Sequence, residues 1–254
     1  MRLVLVILGM LGVIEVLLAQ ENDIGTKDYK SWDFQVAYGV QQPIGVLSNR
    51  FGYNLNIGGG LRHRWADNRY FVGVEGGYIF GRRVKENTVG WLYNEEGYIF
   101  GWSSDGGFEV PLLLRERGYY GGIQGGRLFA IGDSKRLNFV RLNIGLGFLQ
   151  HKIHFVDDSR SLAQLFGDYG KGLDRLTYGW AMRQGVAFEH ISSKNRFNYY
   201  VALEMTEGVT RNRRSFNYDT LMRDNTLRFD LLIGLKFGYY FAYYYGSTDT
   251  LIYY

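Results

Sequence analysis

Apolar and polar residues alternate along much of the chain. The longest such stretch lies near the C-terminus, where Leu227, Phe229, Leu231, Ile233, Leu235, Phe237, Tyr239 and Phe241 share one parity and Arg228, Asp230, Gly234, Lys236 and Gly238 share the other. A two-residue period puts successive side chains on opposite faces of an extended strand, and no amphipathic helix has it. The same rhythm recurs upstream. Trp32, Phe34, Val36, Tyr38 and Val40 alternate with Asp33, Gln35, Ala37 and Gly39, and Tyr53, Leu55, Ile57 and Leu61 with Asn54, Asn56, Gly58, Gly60, Arg62 and Arg64. Tyr70, Val72, Val74 and Tyr78 oppose Gly73, Glu75 and Gly77, and a less regular stretch runs from Tyr119 to Ile131. Val140, Leu142, Ile144, Leu146 and Phe148 then oppose Arg141, Asn143, Gly145 and Gly147. Tyr178, Trp180, Met182, Val186 and Phe188 oppose Arg183, Gly185 and Glu189, while Phe197, Tyr199, Val201, Leu203 and Met205 oppose Asn198, Ala202, Glu204 and Thr206.

The connections alternate in length. Short polar turns fall at Ala66, Asp67 and Asn68, at Gly132 to Lys135 and at Ser192 to Asn195, and longer polar segments at residues 41–50, 81–117, 157–176 and 211–224. Short turns at one end and long loops at the other are the habit of outer-membrane barrels. The spacing therefore predicts an all-β fold, a transmembrane antiparallel up-and-down β-barrel of eight strands. Phe108 to Leu114 is apolar enough to end an additional strand, which leaves ten strands as the alternative.

The first residues locate that barrel. Arg2, an apolar run from Leu3 to Leu18, then Ala19 and Gln20 have the plan of a secretory signal peptide. The run is shorter than the roughly 20 apolar residues of a spanning helix. Residues 1–19 are expected to be removed, leaving 20–254 as one barrel domain in the outer membrane with both mature termini periplasmic.

Composition narrows the chemistry. The 254 residues contain no cysteine, which excludes disulfide scaffolds, thiolate metal sites and cysteine nucleophiles. A formal charge of +4 is too mild to imply nucleic acid. The glycine groups at Gly58 to Gly60 and Gly121 to Gly126 do not sit between a strand and a helix, so they predict relief of crowding in a curved sheet rather than a phosphate loop. The Tyr239, Tyr240, Tyr243, Tyr244 and Tyr245 run reads as an aromatic girdle. No catalytic motif, metal set or cofactor is expected. His151 and His154 fall on opposite strand faces, and Ser159 or Ser161 near His154 is what a lipid hydrolase would have to use.

An eight-stranded barrel is just wide enough to be filled by side chains. Its inward parity holds Asp33, Glu75, Glu189, Glu204 and Asp230 against Arg62, Arg64, Arg141, Arg183, Arg228 and Lys236, which predicts a hydrogen-bonded ionic lumen. A candidate binding rim on the long loops comprises Arg82, Arg83, Lys85, Asp168, Lys171, Asp174, Arg175, Arg211, Arg213 and Arg214. These residues can form ion pairs between loops or hold the phosphates of outer-leaflet glycolipid.

The runs Gly147-Phe-Leu-Gln-His-Lys152, Gly167-Asp-Tyr-Gly-Lys-Gly-Leu-Asp-Arg-Leu-Thr177, Thr210-Arg-Asn-Arg-Arg-Ser215 and Arg228-Phe-Asp-Leu-Leu-Ile-Gly-Leu-Lys236 resemble a group of small, largely uncharacterised outer-membrane barrels of the Bacteroidota type. That resemblance implies location and architecture, not an activity. The expectation is a non-enzymatic barrel with a structural, binding or accessory role, its partners membrane lipid and a protein of the outer membrane. A lipid-modifying hydrolase and a narrow pore are the competing classes.

Overall fold

The computed structural model describes residues 30–65, 69–103, 106–131, 138–157, 161–162, 165, 167–192 and 197–245. The expected signal segment, the expected turns at 66–68 and 132–135, residues 193–195 of the turn that starts at Ser192, Ser159 and the last residues lie outside them. The strands are β1 (Lys30–Gly45), β2 (Asn54–Trp65), β3 (Tyr70–Gly81), β4 (Ile99–Ser103), β5 (Gly106–Val110), β6 (Leu113–Ala130), β7 (Asn138–Val156), β8 (Thr177–His190), β9 (Asn198–Asn212) and β10 (Leu227–Tyr245). Eight of them close into a barrel in the order β1-β10-β9-β8-β7-β6-β3-β2, every neighbour antiparallel. Lys30 opposite Tyr245 closes the ring and brings both described ends to the same rim.

The ten-stranded alternative is corrected. Phe108 and Val110 pair back onto Gly101 and Ile99, so β4 and β5 form a separate hairpin inside the second long loop. At 5 residues each they are too short for the roughly 9–11 that a strand needs to cross a bilayer. The fourth barrel strand also begins earlier than its pattern suggested. β6 pairs with β7 from Leu113 opposite Val156, where Arg115, Arg117, Lys152 and His154 blur the apolar parity.

The wall obeys the two-residue period. Phe34 and Val36 point out at 57% and 62% exposure, while Asp33 between Trp32 and Phe34 is fully buried inside. Val74, Ile123, Leu146, Leu203 and Phe237 continue this outward apolar surface around the ring. It is far larger than the few hundred Å² that water-soluble proteins expose, and the closed ladder has no free edge, so the exterior is built for lipid. Among the described residues no helix is long and apolar enough to cross a membrane. The glycines make room for rings: a Cβ on Gly77 would sit 2.6 Å from the Tyr120 ring, which lies across β2 and β3 inside the barrel.

Parity also corrects the tyrosine run. Tyr239, Tyr243 and Tyr245 belong to the outward set, but Tyr240 is fully buried and Tyr244 lies on the same inward face. Strands β6, β7 and β10 have 18 or 19 residues. At about 3.3 Å per residue and a tilt near 40°, that is roughly 45 Å of height against an apolar band of about 25 Å. These strands carry the long loops well clear of the lipid.

Candidate functional site

The lumen is packed in layers of charge. Nearest the short turns, Asp33 accepts from Arg62 Nε at 2.8 Å, from Arg64 Nη2 at 2.9 Å and from Ser31 Oγ at 3.0 Å. Glu189 receives both Nη groups of Arg62 at 3.0 and 2.7 Å, Arg141 Nη1 at 3.1 Å and the Tyr240 hydroxyl at 2.8 Å. The Arg62 guanidinium lies 5.1 Å from the centroids of both Phe71 and Tyr240. One layer up, Lys236 pairs with Glu204 at 2.6 Å and with Glu75 at 3.6 Å, and Arg183 donates to Glu75. Higher still, His151 Nε2 lies 2.9 Å from Asp230, which also accepts from Thr210 at 2.5 Å, and Asn54 donates to Glu116. Arg228 turns up to Asp224 of the fourth loop at 2.5 Å, so its partner is a loop residue rather than another lumen group.

Tyr120, Thr210 and Glu116 complete these layers without having been singled out in the sequence, Asn54 keeps its expected inward parity, and Tyr240 and His151 join them although the sequence suggested a girdle for the one and no lumen role for the other. Their signal was available, since each shares parity with a charged inward neighbour on its strand or one adjoining.

The mouth is closed by the loops. After β1 the chain makes a short helix, α1 (Leu47–Arg50), and turns inward. Leu47 and the fully buried Phe51 join Ile79, Tyr120, Leu149, Ile153 and Leu232 in an apolar plug. Phe51 meets the His151 ring edge-on at 5.6 Å. A second apolar cluster, Val89, Ile99, Val110, Leu112, Leu162, Leu165 and Leu173, joins the second and third loops above it.

Charges stitch this cap together. Glu86 accepts from Arg50 Nε at 2.6 Å and from Arg175 Nε at 3.0 Å, and Arg175 also donates to Asp219 at 2.5 Å. Arg214 grips Asp174 through two bonds, at 2.8 and 2.5 Å. These contacts join all four long loops. Asp168 and Lys171, on the short helix α2 (Gly167–Lys171), form an exposed pair at 2.7 Å, and Lys85 donates to the Ser48 carbonyl. The three arginines of the fourth loop are not one cluster: Arg214 is held in the cap, whereas Arg211 and Arg213 are exposed.

Burial alone would push the Glu86 carboxyl up, but the Arg50 and Arg175 guanidiniums more than offset this and hold it below the ordinary value of 4.5. A depressed carboxylate contributes stability that is complete above its unfolded pKa and is lost as pH falls through the folded one. Hydrogen exchange at residues 84–93 and 172–177 is therefore expected to rise several-fold as the pH falls below the ordinary glutamate value of 4.5. In Glu86→Gln the exchange should already be high at neutral pH and lack that acid step.

A row of cations faces outward at the loop end of the wall. Arg83 lies over the Tyr53 ring at 4.8 Å, Arg213 over Tyr178 at 5.2 Å and Arg117 over Tyr78 at 5.8 Å. Arg117 is paired in register with Lys152, and Arg115 with His154. Arg82 is exposed at the top of the same edge. Sequence reasoning missed Arg115, Arg117 and Lys152, because it assigned the first two to a loop. His154 points outward in this row, and Ser161 donates to Asp157 at 3.4 Å. Among the described residues no three His, Asp or Glu side chains converge on a metal position.

No protein-family model matches the chain, and no curated protein matches it in sequence. Among solved structures it is similar to Neisserial surface protein A, at 8% identity over 83% of this chain and 96% of that one, with a TM-score of 0.42. It is also similar to Ail, the attachment invasion locus protein of Yersinia pestis, in its complex with the heparin analogue sucrose octasulfate, at 13% identity over 85% of this chain and 100% of that one, with a TM-score of 0.39. The outer membrane protease OmpT from Escherichia coli matches at 10% identity over 89% of this chain and 99% of that one, with a TM-score of 0.29.

Proposed function

We propose that this chain is an integral outer-membrane β-barrel of the bacterial cell that acts without catalysis, as a sealed platform in a structural, binding or accessory role. The observation that carries this reading is the pairing of a predominantly apolar exterior with a lumen filled by interlocked ions and a mouth stopped by Leu47 and Phe51. The end bearing the long loops faces out of the cell, and both mature termini lie in the periplasm, as the loop lengths of such barrels imply.

The working surfaces are then the cap and the wall. At the outer rim, cations stacked on girdle tyrosines sit where the phosphates of an outer-leaflet glycolipid lie, and arginine is suited to grip them. Arg117, Arg211 and Arg213 are the residues to change, since Arg214 is held by Asp174. Replacing those three with serine is expected to lower the glycolipid that copurifies from outer-membrane fractions several-fold, with the barrel still folded. Unchanged glycolipid content would remove lipid recognition from the proposal, and recovery of the wild-type chain in the aqueous fraction would remove the membrane reading altogether.

A further inference from the structure

On two adjoining strands the outward apolar series is interrupted by polar residues that bond to each other. On β8 the sequence of outward residues is Tyr178, Trp180, Met182, Gln184, Val186 and Phe188, and on β9 it is Tyr199, Val201, Leu203, Met205, Glu207 and Val209. The orientation of both polar residues is fixed by their neighbours. A Cβ on Gly185 would meet Asn143 and Glu204, and one on Gly208 would meet Leu149 and Asp230, all inside the barrel. Gln184 and Glu207 therefore face lipid. Gln184 stands opposite Met205, and Glu207 lies between Met182 and Leu231 on its two neighbouring strands. Gln184 Nε2 donates to Glu207 Oε1 at 3.0 Å.

That bond leaves much unsatisfied. The second carboxylate oxygen, the amide carbonyl and the second amide N–H have no partner among the described residues. Acyl chains offer none, and polar groups in the hydrocarbon region are costly enough that they mark contacts with protein. On the neighbouring strand β10 the outward residues beside the pair, Leu231, Ile233 and Leu235, are apolar, and beyond them β1 carries Gln42 opposite Ile233.

We propose that this patch is where a second copy of the chain docks, wall to wall, in the membrane. The pair is complementary to itself, because it presents both an acceptor oxygen and a donor N–H. Two copies inserted in the same direction are related by a two-fold axis along the membrane normal, which preserves the height of every residue. The small height offset that Gln184 and Glu207 bridge within one copy is therefore the same between copies, and each amide can donate to the other copy's carboxylate. The surrounding surface suits a protein contact. Trp180 is 80% exposed, and the flexible thioethers of Met182 and Met205 flank a pair that is itself recessed to 9% and 8% exposure.

The absence of cysteine makes the test direct. Single-cysteine chains Met182→Cys and Met205→Cys on this patch, and Val74→Cys across the barrel on β3, are placed in phospholipid vesicles at high dilution and oxidised. Folding is checked by heat-modifiable gel mobility. At least one patch position should give several-fold more covalent dimer than Val74→Cys. Adding Glu207→Leu should bring that yield down to the Val74→Cys level, while Glu207→Gln, which keeps an acceptor and a donor, should retain most of it. Equal yields at all positions, no dimer from either patch position, or a dimer indifferent to Glu207→Leu would each overturn the proposal. The first comparison stands even if Glu207→Leu does not fold.

Discussion

Replacing Arg62 with leucine is expected to lower the stability of the barrel by about 3–5 kcal/mol, seen as a shift in the urea midpoint in detergent micelles. Arg62 is fully buried and is the only side chain that bonds both Asp33 and Glu189 among the described residues. Leucine would fill much of the space but leave two carboxylates facing each other. Arg64 would remain for Asp33, and Arg141 and Tyr240 for Glu189. The loss should be global, because the bonds join β1, β2 and β8 across the lumen and no segment can release them alone. Changing Asp33→Asn and Glu189→Gln along with Arg62→Leu removes the uncompensated charges and should recover a large part of the loss. Equal instability in the single and triple variants would mean that packing, and not charge, holds this layer.

Arg62 also shows how far the sequence could be read. Its parity puts it in the lumen, because a strand with lipid on one side and packed polar groups on the other leaves no freedom in the facing of each residue. All eight barrel strands are legible for that reason. Its partner was not visible. Glu189 lies 127 positions away, and which inward cation meets which inward anion depends on the stagger between strands, a quantity that alternation does not encode.

Loops were less legible. Leu47 and Phe51 sit in and beside a segment that reads as polar, yet they form the plug, because a wide mouth rewards burial of any apolar residue within reach. Arg115 and Arg117 looked like loop residues because the strand continues above the lipid, where outward positions carry cations. Gln184 lies inside an apolar series and Glu207 just past the end of one, and local pattern has no means of telling an interruption from a site.

Truncation of Phe51 to alanine is expected to separate the cap from the wall. The ring is fully buried among Leu47, Ile79, Tyr120, Leu149, Ile153 and Leu232, and removing such a side chain typically costs about 3–5 kcal/mol. The backbone around it has few anchors: Phe51 bridges to Val84, Gly52 N donates to Arg83 O at 2.7 Å, and Lys85 N donates to Arg50 O at 2.8 Å. Loops one and two thus share one plug and should loosen together, while β1 to β3 and β6 to β10 keep their ladders. Hydrogen exchange of residues 46–53 and 82–93 should accelerate by two or more orders of magnitude, with the exchange of β7 and β9 little changed, as expected of sub-global opening. The lumen should nonetheless stay sealed, because the layers at Glu75, Arg183 and Lys236 and at Asp33, Arg62 and Glu189 lie below the plug and are held by their own ion pairs, with Tyr120 of the plug stacked on Arg183 of the upper one. Planar-bilayer recordings of Phe51→Ala that remain silent would place the seal in the ionic layers. Stable single channels in that variant would show instead that the plug alone closes the barrel, and the platform reading would give way to a gated pore.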